Sequence, residues 1–212
     1  MSVRALVGLG NPGPRYDGTR HNVGFLILDE LARRKGASWK DEPRLRAQTA
    51  SVILAGNTVL LVKPQTYMNE SARSVSAVCR LFKWKPAEVC VAYDEYQLGV
   101  GAFKVSQRGG SGGHNGMVSL IGSMGEDFVR YRIGIGPAEK PQVTLSEFVL
   151  GQFTPEESKK LEAAIDCLIE GLIHLVAVGP LEAMNSLNKR RKPTHTHNEP
   201  NGNTSLSGDG DL

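Results

Sequence analysis

Apolar residues recur along the chain in two different rhythms, and their order predicts strands interleaved with helices. Runs of apolar and β-branched residues between Gly, Pro and polar breakers are typical of short buried strands. Four such runs lie at Val3–Leu9, Glu88–Tyr93, Ala102–Ser106 and Phe128–Ile135. Two more, Ser51–Ala55 and Thr58–Val62, flank Gly56-Asn57, which predicts a hairpin with a two-residue turn.

Helices are predicted where apolar residues recur every three or four positions. Residues 22–35 and Ser71–Phe82 follow this rhythm. A third helix follows Thr154-Pro155-Glu156-Glu157, a capping box with proline at the first helical position. Strands interleaved with helices, together with one hairpin, predict a single α/β domain of three layers (α/β/α). In this fold class, helices flank both faces of a twisted mixed β-sheet.

The periodic pattern ends near the basic run Lys189–Lys192. The residues after it are mostly Thr, His, Asn, Gly and Ser, with almost nothing to bury. Such a composition cannot offset the entropy that is lost on ordering. We therefore expect one domain over residues 1–188 and a disordered basic and polar tail over residues 189–212.

Composition and charge narrow the functional classes. Lys and Arg total 25 and Asp and Glu total 22, so the formal net charge is +3. This modest charge excludes a highly basic RNA-coating protein but leaves room for a local basic patch. The three cysteines form neither a zinc spacing nor a disulfide framework, which is typical of the reducing cytoplasm. Because no long apolar run or signal-peptide core is present, we expect a cytoplasmic protein without a membrane segment.

The glycine-rich segment Gly8–Gly13 matches the G-x-G-x-x-G pattern of dinucleotide-binding proteins. That pattern binds a pyrophosphate only where a helix opens directly inside it. Here Pro12, Pro14 and Gly18 interrupt the position of that helix. We therefore reject a nucleotide cofactor and interpret the segment as a tight turn with a functional role.

Several polar residues lie beside breakers or strand ends, where sites in α/β proteins usually form. They are Asn11, His21-Asn22, Asn69, Asp94 and His114-Asn115. Taken singly, each could be an ordinary turn or cap residue. The chain has no nucleophilic Ser or Cys in an elbow motif and no metal-ligand spacing. A histidine with a carboxylate and several amides suits a general base that activates water.

Taken together, five segments resemble bacterial peptidyl-tRNA hydrolase. They are Val7–Gly13 with Tyr16 and Thr19–Gly24, Lys63–Asn69, Asp94-Glu95, Gly112–Gly116 and Arg132–Gly136. The segments occur in family order, and the resemblance covers the chain from about residue 3 to residue 187. It implies hydrolysis of the ester between a peptide and the 3′ ribose at the acceptor end of tRNA. It also implies a usually monomeric protein that needs no cofactor and no metal.

The resemblance also implies roles for individual residues. His21 is the expected general base, and Asp94 is expected to orient it and to stabilise the imidazolium that forms. Asn11 is expected to contact the peptide near the ester and to help separate peptidyl-tRNA from free aminoacyl-tRNA. A carboxamide can pair with an acylated nitrogen, whereas a free ammonium offers only donors.

Four further residues are expected to bind substrate. Asn69 and Asn115 are expected to hold the tRNA 3′ end, the water or the developing oxyanion. Tyr16 and Tyr67 are expected to contact the terminal nucleotide or the peptide, since aromatic rings stack on bases. For Tyr67, a half-buried ring of the core is the alternative.

Two segments depart from the family pattern. Tyr93–Val100 lacks the His that commonly precedes the Asp and has Tyr96-Gln97 where Leu-Asp is common. Ser106-Gln107-Arg108 and Ser111 also differ from the usual stretch before Gly112, which is basic and then rich in glycine. These departures keep open a second function, an inactive RNA-binding scaffold of the same fold, as in chloroplast group II intron splicing factors. The presence of Asn11, His21 and Asp94 favours the enzyme.

Two surface features have open interpretations. The glycine-rich loop Gly109–Gly113 could be a mobile lid, a phosphate-binding loop or a plain flexible connection. Arg73, Arg80 and Lys83 fall on one face of the helix after Asn69. Such a face is either ordinary solvated surface or a track for tRNA phosphates.

Overall fold

A mixed seven-stranded sheet forms the centre of the structure, a computed structural model that describes residues 2–136 and 142–189. The strands are β1 (Ala5–Gly8), β2 (Lys40–Glu42), β3 (Ala47–Leu54), β4 (Asn57–Pro64), β5 (Val89–Gly99), β6 (Phe103–Gln107) and β7 (Val129–Gly136). Their order across the sheet is β2-β3-β4-β1-β5-β7-β6. The central strands β4, β1, β5 and β7 are parallel, and the outer pairs β2–β3, β3–β4 and β6–β7 are antiparallel.

Helices cover both faces of this sheet. They are α1 (Val23–Arg34), α2 (Ser71–Phe82), α3 (Asn115–Met124), α4 (Leu145–Leu150), α5 (Pro155–Val178) and α6 (Pro180–Leu187). One core cluster joins the sheet to α1, α5 and α6, and a second joins the opposite face to α2 and α3. The predicted three-layer α/β fold with a mixed sheet is therefore confirmed. In the part of the chain that the structure describes, no helix is long and apolar enough to cross a membrane.

The hairpin between β3 and β4 turns one residue earlier than the sequence predicts. Leu54 pairs with Asn57, so the turn is Ala55-Gly56 and not Gly56-Asn57. Both turn residues have positive φ, 47° and 78°. Positive φ at both central residues is the conformation of a type I′ turn, whose twist matches that of the flanking strands. Asn57 is therefore the first residue of β4.

Several elements were not predicted from the sequence. They are β2, α3, α4 and α6. β2, α4 and α6 have eight residues or fewer, whereas α3 carries apolar residues at helical spacing that could have predicted it: Met117, Leu120, Ile121 and Met124. β5 continues past Tyr93 to Gly99, through the atypical segment, with a register shift between Glu95 and Gly99. The proposed tail beyond Lys189 lies outside the described residues.

Two glycines set the distance between α1 and the sheet. A Cβ on Gly24 would lie 2.5 Å from the carbonyl oxygen of Ala92, and a Cβ on Gly8 would lie 2.4 Å from the carbonyl oxygen of Gly24. Real Cβ atoms do not approach backbone so closely, so only glycine permits this contact. The first turn of α1 thus rests on β1 and β5, and it brings the residues just before α1 to the carboxyl ends of those strands.

Candidate active site

A cleft opens at the carboxyl ends of the parallel strands, where α/β proteins usually bind ligands. Its volume is about 610 Å³. All the site residues expected from the sequence line it: Asn11, Tyr16, His21, Tyr67, Asn69, Asp94 and Asn115. They come from the segments that follow β1 and β4, from β5 itself and from the start of α3. The structure therefore brings together side chains that are widely separated in sequence.

His21 and Asp94 form a buried hydrogen-bonded pair in this cleft. The Nδ1 atom of His21 lies 2.8 Å from one carboxylate oxygen of Asp94 and 3.0 Å from the other. Both side chains are less than a tenth exposed. Since a carboxylate only accepts hydrogen bonds, Nδ1 carries the proton, and in the neutral ring Nε2 keeps its lone pair. This is the arrangement of an imidazole base that is oriented by a carboxylate.

The short 3-10 turn that carries His21 is anchored by its neighbour Arg20. The buried Arg20 guanidinium donates to the carboxylate of Glu157 and to the carbonyl oxygen of Gln152, both at 2.6 Å. It also lies 4.3 Å from the ring centre of Phe148. The turn before α1 is thus tied to the segment between α4 and α5, which limits movement of the His21 ring. The sequence assigned Arg20 no role of its own.

His114 is a second imidazole on the same carboxylate. Its Nε2 atom lies 2.8 Å from the Asp94 oxygen that His21 also contacts. Its Nδ1 atom accepts hydrogen bonds from the backbone N–H groups of Gly116 and Met117, at 3.1 and 3.3 Å, and so caps α3. Backbone N–H groups can only donate, so the proton of His114 is on Nε2 and points at Asp94. Nothing in the local sequence indicated that this ring would reach a residue of β5.

The surroundings of Asp94 favour its charged form. Burial alone would raise the pKa of this carboxyl group. The electrostatic attraction of His114 and His21, together with a hydrogen bond from each ring, outweighs burial and holds the pKa of Asp94 well below its ordinary value. The two imidazoles therefore favour the carboxylate form of Asp94 over the neutral acid.

The same three side chains place potential metal-ligand atoms within 4.8 Å of one another. In the arrangement found here, the imidazole nitrogens that face Asp94 both carry protons. Their lone pairs are not available to a cation, and a metal ion would have to displace both protons. The three side chains therefore fit a hydrogen-bonded triad, in which both imidazoles donate to Asp94, better than they fit a set of metal ligands.

Asn11 is held from three directions. Its backbone N–H donates to Oδ1 of Asn22 (2.8 Å), and Nδ2 of Asn22 donates back to the Asn11 carbonyl oxygen (2.9 Å). The Asn11 side-chain oxygen accepts the backbone N–H of Met68 at 2.8 Å. This hydrogen bond orients the carboxamide, so that its Nδ2 amino group remains to donate to a ligand. Asn22, which was given no role from the sequence, positions Asn11.

The remaining expected residues are more open to solvent. Asn69 and Asn115 are exposed where they line the cleft. Tyr67 is 54% exposed and belongs to neither of the two core clusters. The guanidinium of Arg15 lies 4.5 Å from the ring centre of Tyr16 and also contacts its hydroxyl group. Both tyrosine rings are therefore available at the rim of the cleft.

The glycine-rich loop is anchored at its base. Arg130 of β7 is buried, and its guanidinium donates to the carbonyl oxygens of Gly109 and Gly110. Gly112 and Gly113 lie further along the loop and line the cleft. Arg130 therefore holds the first residues of the loop, and the residues that follow them reach the cleft.

One wall of the cleft is apolar and was not expected from the sequence. It is formed by α4, whose residues Leu145, Val149 and Leu150 line the cavity. Leu145 is 48% exposed and Leu150 is 43% exposed. Apolar side chains that stay open to solvent beside a polar site are typical of ligand-binding surfaces.

Comparison with known proteins agrees with the resemblance that the motifs indicate. The sequence pattern of the family described as peptidyl-tRNA hydrolase matches residues 5–195. The peptidyl-tRNA hydrolase of Gloeobacter violaceus is 43% identical over 191 residues, which cover 90% of this chain and 96% of that protein. The enzyme of that name from a Synechocystis strain is 41% identical over 90% of this chain and 98% of its own length.

Solved structures agree as well. The crystal structure of peptidyl-tRNA hydrolase from Acinetobacter baumannii is similar with a TM-score of 0.79 and 36% identity, covering 88% of this chain and 94% of that one. A match over most of both chains, in sequence and in fold, shows common ancestry. The chain belongs to the peptidyl-tRNA hydrolase family.

Proposed function

We propose that this protein hydrolyses the ester bond of peptidyl-tRNA, releasing free peptide and reusable tRNA, by means of water that His21 activates. The observation that carries the proposal is the buried His21–Asp94 pair, joined at 2.8 Å, with Nε2 of His21 left as the acceptor in the cleft. General-base assistance of this kind contributes about 10²–10⁴-fold to a rate.

In the proposed reaction, Nε2 of His21 takes a proton from water as the water oxygen attacks the ester carbonyl carbon. Asp94 stabilises the imidazolium that forms. The tetrahedral intermediate then expels the 3′ oxygen of the ribose, which receives the proton from His21. One carbon–oxygen bond forms and one breaks, and the imidazole returns to its starting state.

Asn11 supplies selectivity in this proposal. Its side-chain oxygen is already engaged by the Met68 backbone N–H, so it presents the Nδ2 amino group to the substrate. An amino group donates to a peptide carbonyl oxygen but repels the ammonium of a free aminoacyl-tRNA, which also only donates. N-blocked substrates are therefore preferred.

The other cleft residues hold the two ends of the substrate. Asn69 and Asn115 donate to the tRNA 3′ end or to the developing oxyanion, and Tyr16 and Tyr67 stack on the terminal base or on the peptide. The apolar wall of α4 accepts peptide side chains. The substrate end in the cleft is thus the acceptor end of the tRNA.

The remaining features follow from this function. We assign the activity to one domain over residues 1–188 and give the segment from residue 189 onward no part in it. A monomer in the cytoplasm, where translation takes place, is the state that we propose. The proposed reaction needs no metal and no cofactor, since a histidine base and amide donors suffice for an activated ester.

The test is hydrolysis of an N-acetylaminoacyl-tRNA by the purified protein. We expect cleavage of the acetylated substrate, little cleavage of the unacetylated aminoacyl-tRNA, and a loss of about 10²–10⁴-fold in His21→Ala. Salt-sensitive RNA binding without any cleavage would instead indicate an inactive scaffold. Nothing in the family match or in the geometry of the cleft favours that alternative.

A further inference from the structure

A second concave surface lies on the face of the sheet that carries α2 and α3. It is a groove of about 540 Å³. Four arginines line it, together with small side chains: Arg44, Arg46, Arg73, Arg80, Ala72, Ser76, Ala77 and Ser123. No acidic residue and no large apolar residue is among these. We call this surface the arginine groove.

The charges of the arginine groove are largely unneutralised. Arg44, Arg46 and Arg80 are exposed, and none of them forms an ion pair with a residue that the structure describes. Arg73 pairs with Glu70 at 3.0 Å, at the end of the groove nearest the catalytic cleft. Four guanidinium groups beside one carboxylate repel one another, and an anion in the groove would relieve that repulsion.

Two of these arginines lie in a backbone turn that hydrogen bonds close. Arg44 and Arg46 lie in the tight turn between β2 and β3, which is closed by hydrogen bonds from Leu45 N–H to the Glu42 carbonyl and from Arg46 N–H to the Pro43 carbonyl. Leu45, between the two arginines, is buried in the core. The turn with Arg44 and Arg46 thus forms one side of the arginine groove, and α2 forms the other.

The other wall continues directly from the catalytic cleft. Asn69, which lines the cleft, lies in the short turn immediately before α2. Arg73 follows four residues later and Arg80 seven residues after that, which places both on one face of α2 about 10 Å apart. The row of positive charge therefore begins one helical turn from the cleft and leads away from it.

We propose that the arginine groove binds sugar–phosphate backbone of the tRNA substrate outside the catalytic cleft. This inference rests on the proposed function, which places the acceptor end in the cleft and leaves the rest of the tRNA to lie on the protein surface. Guanidinium groups bind phosphate oxygens in a bidentate manner, and a concave row of them suits a polyanionic strand. An anionic membrane is the less suitable occupant, because the groove offers no large apolar side chain for insertion.

The experiment measures binding of deacylated tRNA, so that it does not depend on hydrolysis. The groove variant is Arg44→Gln/Arg80→Gln, which breaks no ion pair. The matched control is Lys159→Gln/Lys160→Gln on α5, which removes the same charge from exposed positions on the opposite face of the sheet. Melting temperatures of all three proteins establish that each is folded.

We expect the groove variant to bind tRNA about tenfold more weakly at low salt, with the control close to wild type. The slope of log K against log salt should become shallower by about one to two, since each phosphate contact contributes about 0.7–0.9. Arg46→Gly should act in the same direction without a backbone penalty, because Arg46 has a φ of 50°, where glycine is favoured.

Hydrolysis separates this inference from the proposed function. With N-acetylaminoacyl-tRNA, the groove variant should show a raised KM and an unchanged kcat. With an N-acetylaminoacyl ester of adenosine, which has no phosphate, it should match wild type. If wild type cleaves neither substrate, the proposed function is wrong. Binding of deacylated tRNA to wild type and to the groove variant still tests whether the arginine groove binds tRNA.

Two results would overturn the inference. One is a groove variant that binds deacylated tRNA as tightly as wild type and with the same salt dependence. The other is binding of wild type to anionic phospholipid vesicles that is lost in the groove variant while tRNA binding is unchanged. That result would assign the groove to a membrane surface.

Discussion

The imidazoles of His21 and His114 both contact the Asp94 carboxylate in the cleft, and their roles differ. His114 uses Nδ1 to cap α3 and Nε2–H to hold Asp94, so both of its nitrogens are engaged. His21 uses only Nδ1 in this way, which leaves one nitrogen for a proton from water. His21 and His114 are the same residue type, and what makes His21 the base is that one of its ring nitrogens has no hydrogen-bond partner among the residues that the structure describes.

The pH dependence of hydrolysis follows from this assignment. The pKa of Asp94 is held below its ordinary value, so the carboxylate stays ionised as the pH falls into the mildly acidic range. An imidazole base is inactive once it is protonated, so kcat/KM should decrease as the pH falls. The measurement is kcat/KM from about pH 5 to about pH 8.5, which spans the histidine range. A flat profile with chemistry rate-limiting would contradict the assignment of His21.

Substrate discrimination should depend on Asn22 although this residue is not expected to touch the substrate. Asn22→Ala removes two hydrogen bonds and leaves the buried N–H and C=O of Asn11 unpaired. Each unpaired group costs about 1–3 kcal/mol, so the Asn11 loop should shift. We expect kcat/KM for N-acetylaminoacyl-tRNA to fall at least about tenfold relative to that for aminoacyl-tRNA.

The ratio of the two kcat/KM values is the readout, because a general loss of folded protein lowers both equally. Lys159→Gln/Lys160→Gln, at exposed positions on α5 outside the cleft, serves as the comparison. An unchanged ratio in Asn22→Ala would mean that Asn11 does not need this support.

At the scale of elements, the approach of α1 to the sheet sets the catalytic geometry. Gly24 lies in the first turn of α1 and contacts backbone of both β1 and β5. His21 lies three residues before Gly24, and Asp94 lies two residues after Ala92 on β5. Any outward shift of α1 therefore moves the imidazole away from the carboxylate.

Gly24→Ala should lower both stability and activity. Its Cβ would lie 2.5 Å from the Ala92 carbonyl oxygen, and backbone cannot yield as a flexible side chain can. Overpacking of this kind costs about 1–3 kcal/mol. Chemical denaturation and kcat measure the two effects, and both should fall.

Gly122→Ala is the matched control. Gly122 is an exposed glycine within α3 whose Cβ would meet nothing within 4 Å. The same substitution there should stabilise the protein by about 0.5–1 kcal/mol, since alanine is the better helix former. Equal stabilisation in both variants would contradict the close contact at Gly24.

At the scale of the whole molecule, a single side chain pairs with the edge strand β6 of the sheet. The carboxamide of Asn188 accepts the backbone N–H of Val105 at 3.0 Å and donates to its carbonyl oxygen at 2.8 Å. Val105 lies in β6, the outermost strand on that side. Asn188 thus imitates the backbone of an eighth strand at the point where the chain leaves α6. At Val105 the edge strand is therefore not open to pairing with another molecule.

The domain should therefore end just after Asn188. Removal of residues 189–212 should leave the melting temperature nearly unchanged, whereas Asn188→Ala should destabilise the protein by about 1–3 kcal/mol through two lost hydrogen bonds. Thermal melts of the two proteins beside wild type provide the measurement. A large decrease on truncation would show that the removed segment packs against the domain.

The sequence by itself determined the features that depend on short stretches of the chain, namely several helices and strands and the family motifs. Apolar rhythms located β1, α1, α2 and α5 because burial repeats with the period of each element. The motif blocks indicated the family and brought forward Asn11, His21 and Asp94, since these residues stand in short segments of distinctive type and order. A local pattern is less able to set the exact ends of helices and strands. The hairpin turn, for example, is Ala55-Gly56 and not the predicted Gly56-Asn57.

Only the tertiary structure decided which distant side chains meet. His114 reaches Asp94 from another element, Asn22 faces the backbone of Asn11, and the turn at Arg44 and Arg46 is brought against α2. These contacts depend on strand order and on the close approach of α1 to the sheet. Periodicity reports which face of an element is buried, but not which element packs against it, so the second imidazole and the arginine groove appear only once the chain is folded.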